Sequence, residues 1–310
     1  MRSALQHFLG IADVPAEQIT RLLDRAVELK RTRRSGATPL RGRSLVQIFE
    51  KPSLRTRLSF DVAMAELGGH SVYLSPAEVG LGRRESVADV ARVVARMVDG
   101  VVLRTYAHET IEEFARHSAI PVVNGLSDLE HPCQALADVF TVRERKGLRG
   151  VTAAYVGDGN NVAHSFMLCA VKAGLSVRFA SPVGFEPQRR VIDLARAAAQ
   201  ASGARLEIGN DPVAAVAGVD VVYTDVWTSM GQEAEYERRR RAFQGFQVNA
   251  ALLAGAKPDA IVLHDLPAHR GEEVTDEVID GPQSAVFEQA ENRLHAQKAV
   301  LCWLMGEAVP

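Results

Sequence analysis

Two α/β domains, each a doubly wound parallel sheet, are predicted by three features of the sequence. Short apolar runs alternate with longer helical patterns, the rhythm of repeated strand–helix–strand units. The chain's 310 residues exceed one typical domain and suit two halves that each bury a core. The polar motifs follow the apolar runs, and doubly wound sheets bind ligands beyond the carboxyl ends of their strands. A cleft between two such domains is therefore the expected active site.

The elements follow in order. Leu45 to Phe49 reads as a strand, and Leu58 to Leu67 as a helix stopped by Gly68 and Gly69. Val101 to Leu103 and Val122-Val123 read as buried strands, and Gln134 to Arg145 as a helix. After Gly147 and Gly150 a second set begins. Val151 to Val156 is a strand, a helix starts near Asn161, Val177 to Ala180 is a strand, and Gln188 to Ala199 is an Ala-rich helix. Val219 to Tyr223 and Ala260 to Leu263 are further strands, and Phe287 to Met305 is the last helix. These elements divide the chain into a first domain of residues 1–147 plus a C-terminal helix at about 285–310, and a second domain of residues 148–284.

Composition narrows the function classes. Net charge is −2, with 47% hydrophobic and 24% charged residues, so no general attraction to nucleic acid or an anionic membrane is expected and any anion site is local. Cys133, Cys169 and Cys302 form no CxxC pair, as expected of a reducing cytosol, and a cytoplasmic location is anticipated. The first residues lack the pattern of a signal peptide, and no apolar run reaches the ~20 residues of a membrane span.

Several motifs carry possible chemistry. Ser53-Leu54-Arg55-Thr56-Arg57 follows a strand and opens a helix, where free N–H groups, hydroxyls and planar guanidinium forks favour a phosphate. A serine cap with solvated arginines fits the same residues. His131-Pro-Cys133-Gln134 also opens a helix, where the dipole disfavours charged imidazole and leaves a neutral donor, or simply a capping histidine. Gly157-Asp-Gly-Asn160-Asn161-Val162 lacks the third small residue and the later acidic residue of a dinucleotide loop, so a polar loop offering Asn161 to a carboxylate fits better. Asp225-Val-Trp227-Thr-Ser229-Met230-Gly231 places an acid at a strand end, able to hold an ammonium or to form an Asx turn, before a glycine that permits loop motion. His264, Asp265 and His269 hint at a metal, but their spacing lacks the helical pair of a zinc site and Pro267 breaks any helix there. Glu291-Asn292-Arg293-Leu294-His295 lies on the last helix.

Taken in this order, from about Phe8 to Leu304, these motifs resemble the ornithine carbamoyltransferases. Ser-Met-Gly together with His-x-Leu-Pro marks the ornithine branch rather than the aspartate branch. The resemblance implies transfer of a carbamoyl group from carbamoyl phosphate to the δ-amine of ornithine, giving citrulline. It implies that Ser53, Leu54, Arg55 and Thr56 cradle the phosphate and that Arg104, His131 and Gln134 hold the carbamoyl end. Arg293 would touch the carbamoyl oxygen, and Asp265 and Leu266 would complete the carbamoyl-phosphate site, their backbone near the reacting amine. Asn161, Asp225, Ser229 and Met230 would hold the amino-acid head, with Arg55, Thr56, Arg104 and His131 as the catalytic group. Family members are trimers with shared active sites, and they use no metal or organic cofactor.

Two positions depart from that pattern. Asp265 stands where most ornithine enzymes have Cys, and a carboxylate there would favour the unreactive ammonium of the acceptor, unless it points away or pairs with His269 or Arg270. Glu78 stands on a loop where Gln is usual, and would repel phosphate unless Arg83 or Arg84 compensates. Competing readings are a carbamoyltransferase for putrescine or an N-acylated ornithine, and a silent paralogue that binds one of the ligands.

Overall fold

The computed structural model describes residues 6–33, 35–229 and 231–306. The chain forms two compact units, one of Met1–Leu136 with Arg293–Pro310 and the other of Ala137–Asn292. Each is built on its own parallel sheet, as the sequence predicts.

The first unit's strands are β1 (Ser44–Phe49), β2 (His70–Leu74), β3 (Gly100–Arg104) and β4 (Val122–Leu126), in the order β2-β1-β3-β4. The central strands are apolar on both faces because helices cover both faces of such a sheet. Val46, Ile48, Val101, Leu103 and Val122 join Val90, Ile111 and Phe114 in one core cluster. Each fully buried side chain of this size contributes roughly 1.5–3 kcal/mol. Strand β2 was not expected from sequence. It is an edge strand whose residues stay partly or fully exposed, so it lacks the apolar run that marks its neighbours.

The second unit's strands are β5 (Thr152–Val156), β6 (Ser176–Ala180), β7 (Leu206–Gly209), β8 (Val221–Tyr223) and β9 (Ile261–Leu263), in the order β7-β6-β5-β8-β9. Edge strand β7 escaped the sequence reading for the same reason as β2. The core joins Val156, Val222 and Val262 to Trp227, Phe243 and Val286. No helix among the described residues is long and apolar enough to cross a membrane.

The sheet orders fix where ligands can be read. Strand order reverses between β1 and β3 in the first unit and between β5 and β8 in the second. Helices leave on opposite faces at such a point, and the strand ends open onto a crevice. The sequence places Arg104 at the end of β3 and Ser53 just beyond β1, and Asn160 and Asp225 just beyond the second pair.

Tight backbone approach builds the second of these corners. A Cβ on Gly159 would lie 2.2 Å from the Pro187 nitrogen and 2.3 Å from the Glu186 carbonyl carbon, whereas one on Gly209 meets nothing within 4 Å. Gly159→Ala is expected to cost about 1–3 kcal/mol by forced backbone displacement. Gly209→Ala should stay within about 0.5 kcal/mol. Thermal melts of the two variants beside the parent protein check this; equal melting temperatures would contradict it.

Candidate functional site

In the first unit the site begins at a helix start. Helix Leu54–Glu66 begins four residues before the predicted Leu58, because Ser53 caps it and its side chain accepts the Thr56 N–H at 3.3 Å. The first-turn N–H groups of Leu54 and Arg55 have no partner within the helix and carry its positive dipole end. Ser53 and Arg55 are partly exposed and Leu54 is exposed. Thr56, Arg104, His131, Gln134 and Arg293 are all buried.

Arg293, from the last helix, donates through Nη2 to Thr56 Oγ1 at 2.6 Å. That leaves the threonine's own hydroxyl hydrogen for an incoming oxygen. Arg104 ends β3 next to an irregularity. Leu103 pairs with Asn124 but Arg104 pairs with Leu126, so Gly125 is the extra residue of a bulge. Bulges re-aim side chains beside sites. Gly125 is also close to the helix start, since a Cβ there would lie 3.6 Å from Thr56 Cγ2 and 3.1 Å from the Leu103 carbonyl.

His131 precedes helix Pro132–Lys146, and its carbonyl accepts the Gln134 and Ala135 N–H groups. Burial pushes its pKa well below the ordinary histidine value, and the charges of Arg293, Arg104 and Arg55 push it further the same way. The imidazole is therefore neutral near pH 7. Burial also drives the neighbouring Cys133 thiol up to about 12, which removes it as a nucleophile.

Glu78 forms a capping box with Ser75, taking the Ser75 N–H at 2.6 Å, and this contact lowers its pKa. Arg84 donates to the Glu78 carbonyl instead of its carboxylate. The side chain on this loop thus serves its own short helix.

In the second unit the loop after β5 is organised by Asn160, a residue the sequence reading passed over in favour of Asn161. Asn160 caps helix Asn161–Lys172 through Val162 and Ala163, and its amide donates to Asp225 Oδ2 at 2.8 Å. The double Asn was the available signal, since the first of such a pair before a helix is the capping position. Asn161 is partly exposed at the helix start. Asp158 pairs with Arg239 at 2.9 Å, yet burial outweighs that partner and pushes its pKa up to about 6. Arg239 also holds the Trp227 carbonyl at 2.9 Å, tying the segment after β8 in place. Ser229 is partly exposed, with its N–H on Gln232. Met230 lies outside the described residues.

Asp265 neither points to solvent nor pairs with His269 or Arg270. Arg270 is taken by Asp276 at 2.7 Å and Asp280 at 2.6 Å. One oxygen each of Asp225 and Asp265 and a ring nitrogen of His264 lie within 4.8 Å of one another. Burial raises the Asp225 pKa well above the carboxylate range, and the charge and hydrogen bond of Asp265 add to the rise. The two carboxyl groups thus oppose each other's ionisation.

The predicted cluster of His264, Asp265 and His269 is split in two. His264 and Asp265 stand with Asp225, whereas His269 stands with Glu272 and Glu273. Within the first group the His264 ring has no lone pair to offer a metal. Its Nδ1 accepts the Leu266 N–H at 2.9 Å and its Nε2 bonds Glu273 at 3.1 Å.

Fold and site together define a two-unit α/β protein with a cluster of arginines at a helix start in one unit and a carboxyl pair in the other. Residues 6–144 match the carbamoyl-phosphate-binding domain of the aspartate/ornithine carbamoyltransferases, and residues 149–304 match their Asp/Orn-binding domain. The chain belongs to this family. It is 54% identical over 301 residues to an ornithine carbamoyltransferase of Anoxybacillus flavithermus, covering 96% of each chain. It is also 54% identical, over 96% of each chain, to an anabolic ornithine carbamoyltransferase of Pyrococcus furiosus. The solved structure of ornithine carbamoyltransferase from Pyrococcus furiosus superposes with a TM-score of 0.95 at 53% identity, over 98% of each chain.

The buried carboxyl pair has a consequence for stability. A carboxyl whose pKa is raised on folding binds its proton more tightly in the native state. Stability is then greatest below the ordinary carboxylate value and falls as pH rises from there through the raised value. Each pH unit of that window costs up to about 1.4 kcal/mol. Asp225→Asn removes this titration, so its melting temperature should fall less than that of the parent protein between pH 4 and pH 7. Parallel curves would show that Asp225 is ionised throughout.

Proposed function

We propose that this protein transfers the carbamoyl group of carbamoyl phosphate to the δ-amine of L-ornithine, releasing L-citrulline and phosphate, as in arginine biosynthesis. The observation that carries this reading is the first unit's cradle: three guanidinium groups around a neutral imidazole, beside a capped helix start. Such a set suits one small dianion with a carbonyl attached. Ser53, Leu54, Arg55 and Thr56 take the phosphate, Arg104 bridges phosphate and carbonyl, and His131, Gln134 and Arg293 take the carbamoyl end. In the second unit Asp225 takes the acceptor's α-ammonium, with Asn161, Ser229 and Met230 around its head group and the Asp265-Leu266 backbone near its reacting end. An Asp225 that takes a free α-ammonium disfavours an N-acylated acceptor, and Asn161 offered to the α-carboxylate disfavours putrescine, which has none.

The chemistry follows from these placements. The uncharged δ-amine attacks the carbamoyl carbon, and negative charge grows on the carbonyl oxygen. The Thr56 hydroxyl, the Arg104 guanidinium and the neutral His131 N–H are donors for that oxygen. As the tetrahedral intermediate collapses, the C–O bond to phosphate breaks, and phosphate leaves to the arginines. Phosphate also accepts the proton shed by the amine, so the protein contributes position and electrostatics. A neutral His131 does this without a competing titration in the working range.

The reading includes a homotrimer in the cytoplasm. The first unit leaves Leu54, Leu58, Val93 and Met97 exposed, which supports a surface covered by another copy.

An assay of citrulline formation from carbamoyl phosphate, with ornithine, putrescine and N-acetylornithine as acceptors, tests the reading; no product with ornithine would refute it. Arg55→Ala and Arg104→Ala should each lower kcat/KM for carbamoyl phosphate by about 100- to 1,000-fold with an unchanged melting temperature. Near-parental values in either variant would remove that residue from the site.

The carboxyl pair gives a pH prediction of definite sign. An acceptor ammonium needs an ionised Asp225, and Asp265 holds the Asp225 pKa up. Asp265→Cys should therefore move the acidic limb of kcat/KM for ornithine to lower pH. A pH profile that keeps its position would show that Asp265 has no influence on Asp225.

A further inference from the structure

The motif His264-Asp265-Leu266-Pro267-Ala268-His269-Arg270-Gly271-Glu272-Glu273 holds a buried pair that the reaction as described does not use. The His264 and Glu273 side chains are both 0% exposed. Glu273 Oε1 accepts from His264 Nε2 at 3.1 Å and from the His269 N–H at 2.6 Å. The opposite ring nitrogen, Nδ1, accepts the Leu266 N–H at 2.9 Å. A nitrogen that accepts an amide hydrogen carries none itself, so the ring proton sits on Nε2, facing the carboxylate. The chain of contacts runs from carboxylate to imidazole to one backbone amide.

That amide belongs to a strained residue. Leu266 is the non-glycine residue with positive φ among the described residues, at 59°. A leucine held in the left-handed region costs on the order of 1–3 kcal/mol and persists only where its surroundings impose it. The His264 backbone is itself fixed, with its N–H donating to Gln289 Oε1 at 2.8 Å. Gln289 donates in turn to Asp138 Oδ1 at 2.6 Å, and Asp138 Oδ2 accepts the Tyr223 hydroxyl at 3.0 Å. The imidazole thus hangs from a fixed strand end and bonds the amide two residues on.

Glu273 costs the protein something. Its Oε2 is buried and has no hydrogen-bond partner among the described residues. An imidazole that only filled space would not require a buried carboxylate. A histidine whose tautomer must be fixed does require an acceptor on its far nitrogen.

We propose that Glu273 is a positioning residue: by locking His264 as the Nε2–H tautomer, it holds the Leu266 amide and so presents the Asp265-Leu266 segment to the acceptor amine. This rests on the functional reading above, in which that segment lies near the reacting end of the acceptor. Without the carboxylate the ring proton can move to Nδ1, where it meets the Leu266 N–H head-on. The segment then loses the contact that holds its left-handed turn. A displacement of about 1 Å at a reacting group is worth roughly 100-fold in rate.

The experiment compares Glu273→Ala and Glu273→Gln with the parent protein in citrulline formation, alongside melting curves and histidine 15N spectra. Glu273→Ala should lower kcat about 100-fold while KM for carbamoyl phosphate, bound by the other unit, stays within about 3-fold. Glu273→Gln keeps an acceptor for Nε2–H and should recover most of kcat. The spectra should show His264 as the pure Nε2–H tautomer in the parent and in Glu273→Gln. If Glu273→Ala does not fold, the tautomer and the kcat of Glu273→Gln and of Glu273→Asp decide the matter in its place. Parental kcat in Glu273→Ala, a Glu273→Gln as slow as Glu273→Ala, or an Nδ1–H tautomer in the parent would overturn the proposal. A parent protein that forms no citrulline would refute the functional reading itself, a result distinct from an active parent with an indifferent Glu273.

Discussion

Buried positive charge at the switch point of the first sheet is the constraint on which the rest of the site depends. Guanidinium groups resist burial unless an anion or a dense set of acceptors offsets the lost hydration. Here Arg104 and Arg293 are buried, and with Arg55 they act on one fully buried imidazole. The parallel sheet makes this possible because its strand ends and helix starts converge where the strand order reverses. The Gly125 bulge beside β3 and the Ser53 cap are the local devices that aim Arg104 and Thr56. Burial and the same charges keep His131 neutral, so one electrostatic arrangement suits an anion and sets the state of its neighbouring donor.

The second unit inverts that logic. Its switch point gathers Asp158, Asp225 and Asp265, and burial raises the first two toward protonation. Arg239 answers Asp158, whereas Asp225 is answered by Asn160 and opposed by the charge of Asp265.

Most of the fold was legible in the sequence, because central parallel strands are apolar on both faces and stand out against helical patterns. The two edge strands were not. His70–Leu74 and Leu206–Gly209 face solvent on one side, so their side chains carry no continuous apolar signal. The candidate residues that position and charge mark in the sequence do lie at strand ends and helix starts. Asn160 was missed because one side chain both caps the helix and holds Asp225, a double role that spacing alone does not separate from that of Asn161. The direction of Asp265 also lay beyond the sequence. The side chain stands with Asp225, distant in the chain, and with the adjacent His264, while Arg270 pairs with Asp276 and Asp280. Glu273 was hidden for a similar reason, since a glutamate in a polar motif reads as solvated until its burial is seen.

The central claim is that the arginines and helix start of the first unit bind an anion before any acceptor arrives. Calorimetric titration of the protein with carbamoyl phosphate, in the absence of ornithine, tests it most directly. The account predicts saturable binding of one molecule per chain, competed by inorganic phosphate and weakened by added salt. Absence of saturable binding until ornithine is present, or binding indifferent to inorganic phosphate, would contradict it.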